Sequence, residues 1–348
     1  MRLHSALVSP ATLTNPTEPS WRGDSREVAD THSPVVMVDY EFDAPNLRCL
    51  YTPEVIARAH VVLRGHGRTY HRNLGASPAS INAVIRGEGT WATAAEAYLV
   101  RPGACLVLSE GDACSLTVDS PTPVETFCVS FREGFLSGLA WELRSDVMTA
   151  LDHPDGAMAE EPVLHPGLRP NSDRVGDAMH RLRSAVEAGA SAAELEESLL
   201  VAGCTLLKSN FEYVSRSSRV TAVRASTRRE ILRRVSKGRD YIESHLPDHF
   251  TLRDIGRAAA MSVFHFHRSF VEVFGETPHE YTTRRRLAMA KDLLAATDLS
   301  IGDVSFAAGF GGPTSFSAVF RRHESCSPTD FRQIRRGCLG AGRDRQIA

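Results

Sequence analysis

Apolar residues follow two different spacings along this chain. Between about Val35 and Phe131 they form short β-branched or alternating segments, such as VVMVDYEF, SINAVIRG, CLVLSEG, SLTV and ETFCVSF, separated by Gly, Pro and Asp. Short strands at this spacing predict a β-sandwich or barrel. After Phe131 the apolar residues recur at helical spacing, as in DRVGDAMHRLRSAVEAG. A helical region is therefore predicted to follow the barrel.

A second helical segment, SAAELEESLLVAGCTLLKSN, opens with the capping-box residues Ser191 and Glu194. One face of this predicted helix carries an apolar stripe formed by Leu195, Leu199, Ala202 and Leu206. Such a stripe packs on the helix's own barrel or forms a seam with a second subunit. The sequence leaves both interpretations open.

The C-terminal part contains an imperfect repeat of about 49–50 residues, TLRDIGRAAAMSVFHFHRSFVEVFGETPHEY and SIGDVSFAAGFGGPTSFSAVFRRHESCSPTDF. Each copy begins with a capping residue and an acidic residue three positions later. An Ala pair and a tight turn follow, and then two Phe residues four apart. Each copy ends in Thr-Pro or Ser-Pro, which starts another helix. The matched pairs are Thr251/Ser300, Asp254/Asp303, Phe266/Phe316 and Phe270/Phe320.

Each copy therefore predicts a helix, a tight turn and a second helix whose aromatic face is buried. This is helix-turn-helix geometry, in which the second helix enters the major groove of DNA. The intervening segment RRRLAMAKDLLAATD predicts one continuous helix. A helix of that length holds two second helices about one DNA turn apart.

Charge is distributed unevenly over the chain. The net charge is −2, but residues 228–336 carry 18 Lys/Arg against 13 Asp/Glu, and the remainder carries 22 against 29. A basic C-terminal module on an acidic body is expected where one end of a protein meets phosphates.

The segment from Gly238 to Arg336 resembles the DNA-binding domain of the AraC/XylS family of bacterial transcription regulators. The motifs that carry the resemblance are LRDIGRAAAMSVFHFHRSF, RRRLAMAKDLL, DVSFAAGFGGPTSFSAVFRR and SPTDFR. The resemblance implies two helix-turn-helix units on one monomer, binding to specific promoter sequences, and activation through contact with RNA polymerase. The N-terminal half resembles the family's cupin-like sensor domain, which implies a small-molecule effector or dimerisation.

By analogy with the family, the exposed positions of the first recognition helix are Phe264, His265, His267 and Arg268, and those of the second include Pro313, Thr314 and Ser317. Arg268 contacts either a guanine in bidentate fashion or a phosphate. Arg321 and Arg322 are free to meet phosphate. Ala318 is too short to read a base by hydrogen bonding, and Glu324-Ser325-Cys326 replaces the usual terminal Gly. The second unit is therefore expected to position phosphates more than to read bases.

Candidate chemistry in the N-terminal half points to a sensor rather than an enzyme. Cupin enzymes cluster His and carboxylate ligands on barrel strands. Here the barrel has His60, His66 and His71, but no His lies near Glu110–Ser115, where a second metal-binding motif would be expected. No metal and no cofactor are therefore expected. The candidate effector pocket is lined by Arg64, His66, Tyr70, His71 and Trp91. Two alternatives stay open, a metal-dependent cupin-type enzyme and a thiol redox sensor that uses Cys49, Cys105, Cys114 or Cys128.

The predicted fold class is α+β with two domains, a cupin-like β-barrel with a helical dimerisation region and an all-α domain with two helix-turn-helix units. The predicted segments are a flexible tail (1–33), the sensor barrel (34–135), a helical region (136–212), a linker (213–229), the DNA-binding domain (230–337) and a tail (338–348). A homodimer is expected. The N-terminus is a poor signal peptide and no apolar run reaches about 18 residues, so a cytoplasmic protein without a membrane span is expected.

Overall fold

A computed structural model describes residues 34–42, 53–144, 162–171, 173–222 and 224–343. The predicted tail over 1–33, residue Cys49 and the last five residues lie outside the described part. The strands are β1 (Val35–Glu41), β2 (His60–Ala76), β3 (Ser80–Arg86), β4 (Gly89–Thr93), β5 (Ala97–Val100), β6 (Ala104–Leu108), β7 (Ala113–Ser130) and β8 (Gly167–Pro170).

Helices flank the sheet and build the whole C-terminal domain. They are α1 (Pro53–Arg58), α2 (Phe135–Arg144), α3 (Arg174–Glu187), α4 (Ala192–Arg216), α5 (Ala225–Ser244), α6 (Leu252–Ala258), α7 (Val263–Phe274), α8 (Pro278–Ala296), α9 (Ile301–Ala307), α10 (Pro313–Glu324) and α11 (Pro328–Arg343). The predicted two-domain α+β fold is confirmed. In the described part of the chain, no helix combines the length and the apolar character needed to cross a membrane.

The eight strands form one sheet in the order β1-β2-β7-β3-β6-β8, and β4 pairs with both β5 and β7. Only the β1–β2 pair is parallel among the pairs that these strands make. The two long strands β2 and β7 carry the other strands along their length. Bulges between Gly67 and Thr69 and between Asn73 and Gly75 bend β2, because an unpaired extra residue increases the local twist of a strand.

Strand β7 differs from the prediction, which placed two strands, SLTV and ETFCVSF, on either side of a turn. The structure has one strand through both segments, with Pro121 and Pro123 in its middle. The ladder with β2 is interrupted there. Val124 pairs with Gly67, and the next pair toward the N-terminal end of β7 is Asp119 with Thr69. Proline lacks the amide donor that a ladder needs, and here it falls where no pairing with β2 is required.

The two faces of the sheet build two large cores, beside a smaller cluster of Val36, Val38, Ala59 and Val61. On strand β6, Cys105 and Val107 join the core that the sheet shares with α2, α3 and α4. The alternate residues Leu106 and Leu108 join Trp91, Tyr98 and their neighbours on the inner, concave side. This alternation explains why CLVL is apolar throughout, because both faces of the strand are buried.

The apolar stripe of α4 packs on its own domain. Its four residues, Leu195, Leu199, Ala202 and Leu206, all lie in the core between the sheet and the helices. The stripe therefore gives no support to a subunit seam. Leu200 and Val201 point outward from the same helix and are 44% and 42% exposed.

Three segment boundaries differ from prediction. Residues 213–229, expected to be a linker, hold the last turn of α4, a 3-10 helix (Ser217–Arg219) and the start of α5, and Tyr213 and Val220 are buried in the core of the C-terminal domain. Strand β8 lies inside the region expected to be helical; four residues are too few to show a periodicity. Helix α11 continues through the expected tail to Arg343.

Candidate nucleic-acid interface

The first helix-turn-helix unit is built from α6 and α7. Helix α6 begins at a capping box, in which the Asp254 amide donates to Thr251 Oγ1 at 3.3 Å and the Thr251 amide donates to Asp254 Oδ2 at 2.9 Å. The turn after α6 places Ala260 at φ 51°. Phe266 and Phe270 are fully buried and fix α7 against the domain core, so its opposite face is free.

The second unit, α9 and α10, repeats this arrangement with different turn residues. Ser300 Oγ accepts from the Asp303 amide at 3.0 Å. Gly309 at φ 80° lies in the turn, and an added Cβ there would come within 2.2 Å of the Leu246 carbonyl oxygen. Phe316 and Phe320 are fully buried. The correspondence that the sequence repeat predicts therefore extends to the caps and to both aromatic anchors.

Helix α10 ends without the glycine that ends α7. Gly275 adopts φ 77° after α7, whereas Ser325 adopts φ 60° after α10. A residue with a side chain is strained in this left-handed conformation. Cys326 follows as a half-buried turn residue that packs against the hydrophobic core of the second unit.

The predicted contact residues of α7 form one exposed surface. Phe264 is 79% exposed, and His265, His267 and Arg268 are also exposed. Arg268 Nε donates to Glu272 Oε1 at 3.1 Å, one turn further along the helix. Glu272 was absent from the predicted contact set, although its four-residue spacing from Arg268 is a signal for such a pair. Binding of Arg268 to a base must replace or share this ion pair.

The predicted residues of α10 have different exposures. Pro313, Thr314, Arg321 and Arg322 are exposed, while Ser317 is half-buried. Ser315 Oγ donates to the Gly312 carbonyl at 2.9 Å and so stays at the start of the helix. This face thus offers hydroxyl groups near the helix start, with Thr314 the more exposed of the two predicted ones, and two guanidinium groups near its end.

A single helix joins the two units. Helix α8 has 19 residues, which at 1.5 Å per residue span about 28 Å. Its N-terminus is capped by Thr277 and Glu280. It contacts both units, through Tyr281 in the hydrophobic core of the first unit and through Leu287 and Leu294 in that of the second. A connecting helix of this length is comparable with one turn of DNA, the spacing that two recognition helices need to enter successive major grooves on one side of a duplex.

A cavity of about 550 Å³ lies in the sensor domain, between the helix-facing side of the sheet and α3. Two of the five predicted effector residues, Arg64 and His66, line it. Arg64 forms an ion pair with Asp39, and Arg183 of α3 pairs with Glu187 at 3.1 Å. The lining also includes Glu41, Ile85, Glu125 and Phe127.

The other three predicted effector residues lie elsewhere. The bulge after Gly67 shifts the alternation of β2, so Tyr70 packs on the inner side of the sheet, away from Arg64 and His66. A one-residue shift moves every later side chain to the opposite face. Trp91 is 1% exposed and belongs to the inner core, and His71 Nδ1 lies 2.9 Å from Thr117 Oγ1. None of the three lines the cavity.

The three histidines considered as metal ligands do not converge. His60 packs edge-on against Phe135 with ring centroids 4.4 Å apart, His66 faces the cavity, and His71 contacts Thr117. Among the residues that the structure describes, no group of three or more His, Cys, Asp or Glu side chains is placed to hold a metal ion.

The cysteines considered as redox sensors are buried where the structure describes them. Burial raises the pKa of Cys128 to about 12 and raises the pKa of Cys105 and Cys114 as well. The thiolate is the reactive form of cysteine, so these three thiols are poorly disposed to react at neutral pH.

Comparisons with known proteins give two family matches. Residues 56–202 match the model described as an AraC-like ligand binding domain. Residues 255–334 match a helix-turn-helix domain. The first match covers all strands of the sensor sheet except β1, and the second covers the two units that carry the exposed recognition helices.

Curated relatives are similar over a shorter stretch. The HTH-type transcriptional activator RhaS of Enterobacter sp. (strain 638) is 34% identical over 99 residues, 28% of this chain and 36% of the relative. The probable transcriptional regulator LumQ of Photobacterium leiognathi is 35% identical over 92 residues, 26% of this chain and 37% of the relative. The chain thus spans little more than a third of the length of these relatives.

Among solved structures, a transcriptional regulator from Chromobacterium violaceum, described as containing an AraC-type DNA-binding domain, is 25% identical. The match covers 32% of this chain and 96% of that chain, with a TM-score of 0.29.

Proposed function

We propose, from the two family matches, that the chain is an AraC-type transcription regulator that binds promoter DNA through both helix-turn-helix units and activates transcription. One observation carries the proposal: α7 and α10 are each anchored by two fully buried Phe residues and each expose their opposite face. Anchored helices with an exposed polar and basic face are suited to major-groove binding.

We assign different tasks to the two recognition helices. In α7, Arg268, His265 and His267 are the candidates for reading base edges, and Phe264 for contacting an apolar base surface. In α10, Thr314 and Ser317 are the candidates near the helix start, with Pro313 against the sugar-phosphate backbone. Arg321 and Arg322 supply phosphate contacts.

The experiment is capture of genomic DNA fragments by the full-length protein at two salt concentrations. We expect a recurring sequence with two contact regions about one helical turn apart, retained at the higher salt concentration. Binding without a recurring sequence, lost at the higher salt concentration, would contradict sequence-specific regulation, because non-specific binding is almost wholly electrostatic.

We propose that the cavity beside α3 binds a polar small-molecule effector. Both arginines of its lining are already paired, Arg64 with Asp39 and Arg183 with Glu187. Glu125 also has a cation partner, Arg86, at 3.7 Å. The carboxylate of Glu41 therefore gives the lining its excess of negative charge, which favours a ligand with an amino group.

Thermal unfolding of the protein against a panel of amines, amino sugars and matched carboxylates tests this assignment. Amines should raise the melting temperature of the wild type, and Glu41→Gln should reduce the increase. A response to carboxylates alone would contradict it.

We further propose three properties that follow from the family and the task. The activating partner is RNA polymerase, the protein acts in the cytoplasm where promoter DNA is located, and it forms a homodimer. With the α4 stripe buried, a second copy would cover Leu200 and Val201, two adjacent exposed apolar residues of α4. Sedimentation should show a dimer that Leu200→Glu dissociates; an unchanged dimer would place the contact elsewhere.

A further inference from the structure

The sensor domain contacts the DNA-binding domain through a specific set of polar side chains. Lys237 Nζ lies 2.7 Å from Glu96 Oε1, and Arg285 of α8 donates to the Gly103 carbonyl at 3.1 Å. The exposed faces of α7 and α10 take no part in these contacts. The two domains therefore remain docked without covering the proposed DNA-binding surface.

Arg101, in the turn between β5 and β6, occupies a special position in this interface. Its Nε donates to Glu88 Oε2 at 2.8 Å within the sensor domain. Its Nη1 donates to the Ser244 carbonyl and to Asp248 Oδ2 of the DNA-binding domain, both at 2.8 Å. One guanidinium group thus joins a sensor-domain turn to the last residue of α5, where a cation is favoured by the helix dipole.

Glu88 lies close along the chain to the effector cavity. Ile85 at the end of β3 lines the cavity, and the turn that contains Glu88 begins two residues later. Glu125, also in the lining, pairs in the ladder with Arg86. A change at the cavity wall therefore reaches Glu88 through three residues of continuous chain.

On the other side, α5 positions the first recognition helix. Gly238 of α5 lies against the Phe266 ring so closely that an added Cβ would come within 2.2 Å of it. Phe266 is the aromatic anchor of α7. A shift of α5 therefore has to displace α7, since closely packed elements transmit small movements.

We propose that Arg101 couples the cavity to the first recognition helix, through Glu88 on one side and the end of α5 on the other. This inference rests on the proposed function, because it assigns a regulatory route to the same cavity and the same DNA-binding surface. Coupling between two sites is reciprocal. DNA binding at α7 must then alter the β3–β4 turn, which allows a test without knowledge of the effector.

The test is amide hydrogen exchange of the full-length protein with and without the duplex recovered in the genomic capture. In the wild type, DNA should slow exchange in α7 and α10 and also in residues 84–89, the latter by about fivefold or more. Arg101→Gln and Glu88→Gln should abolish the slowing in 84–89 while α7 and α10 stay protected. Arg181→Gln, which removes an exposed pair within α3 (2.9 Å to Asp177), is the matched control and should behave as the wild type.

Glu88→Gln separates coupling from mere docking, because it leaves the Arg101 contacts with Ser244 and Asp248 in place. Slowing in 84–89 that persists in both variants, or that is absent in the wild type while α7 and α10 are protected, would overturn the relay. Absence of protection in α7 and α10 would overturn the DNA-binding proposal itself and the relay with it. Melting temperatures of the variants close to that of the wild type would exclude unfolding as the cause.

Discussion

In the proposed function, sequence readout by the first unit depends most on Arg268. Its side chain is 63% exposed and is held by Glu272 one turn away, so the guanidinium is already oriented along the exposed face of α7. An arginine held in this way loses less conformational freedom when it meets a guanine.

Replacing Arg268 by Ala should weaken binding to the recovered sequence by about 1–3 kcal/mol and relax the preference at one base pair. Titration of duplexes with each base at every position measures this. Glu272→Gln is the control, because it frees Arg268 without removing it and should retain the preference. Equal losses on all sequences would identify Arg268 as a phosphate contact.

His60 gives the sensor domain a pH-dependent stability. Burial, with a smaller effect of the nearby Arg132, lowers the pKa of His60 to about 4. The unfolded chain binds this proton near pH 6.5, while the folded protein binds it only near pH 4. Stability is therefore complete above about pH 6.5 and decreases as the pH falls toward 4, by about 1.4 kcal/mol per pH unit.

Urea unfolding across this pH range should show that decrease in the wild type. His60→Phe, which retains a ring beside Phe135, should flatten it. His165, whose pKa is also lowered by burial, leaves a residual slope in the variant. If the slope of stability against pH is the same in His60→Phe as in the wild type, groups other than His60 cause the pH dependence.

At the scale of elements, the sequence repeat predicted more than the positions of helices. The spacing of Thr251 and Asp254, and of Ser300 and Asp303, fixed the starts of α6 and α9, because capping depends on residues three positions apart. The aromatic pairs likewise identified the buried faces. Such features are local, and local features can be read from a single chain.

The features of these elements that the sequence did not predict depend on pairing between residues that are far apart along the chain. The shift of Tyr70 to the inner face follows from a bulge that exists only because β7 lies beside β2. The predicted effector residues, which are chosen by their aromatic or charged character, therefore divide between two faces of the sheet. In the same way, the polar composition of 213–229 gave no sign that Tyr213 and Val220 are buried, because the residues that they pack with lie in α5–α8.

Helix α10 should act mainly through charge. Arg321→Gln and Arg322→Gln should each weaken binding on all sequences alike, and each should reduce the slope of log affinity against log salt by about 1. Arg268→Ala serves as the contrast, with its loss confined to one base pair. A preference that changes with Arg321 or Arg322 would show that α10 reads bases as well.

At the scale of the whole molecule, helix α4 and a buried polar cluster join the two domains. Leu199 lies in the sensor core and Tyr213, further along the same helix, in the DNA-binding core. Arg239 and Asp240 form a buried ion pair against Gly167 of β8. Elements that share cores and buried charges tend to unfold together.

Gly167→Ala should weaken this connection. An added Cβ would lie 2.7 Å from Asp240 Oδ2, and Gly167 adopts φ 148°, so we expect a loss of about 2 kcal/mol. Calorimetry should show one unfolding transition in the wild type that separates into two in the variant. Gly189→Ala, with positive φ (72°) but nothing within 4 Å, is the control and should retain a single transition. Two transitions in the wild type would contradict the coupling.

The two recognition helices, joined by α8, present different side chains, with histidines and a guanine-reading candidate on α7 and short residues followed by two arginines on α10. A palindrome suits two identical reading surfaces, but the two unlike surfaces of one subunit select an asymmetric half-site. Such a half-site has a direction along the chromosome. Inverting one half-site would turn the subunit bound to it end to end, so that its sensor domain and any face that meets the polymerase would point away from the gene instead of toward it.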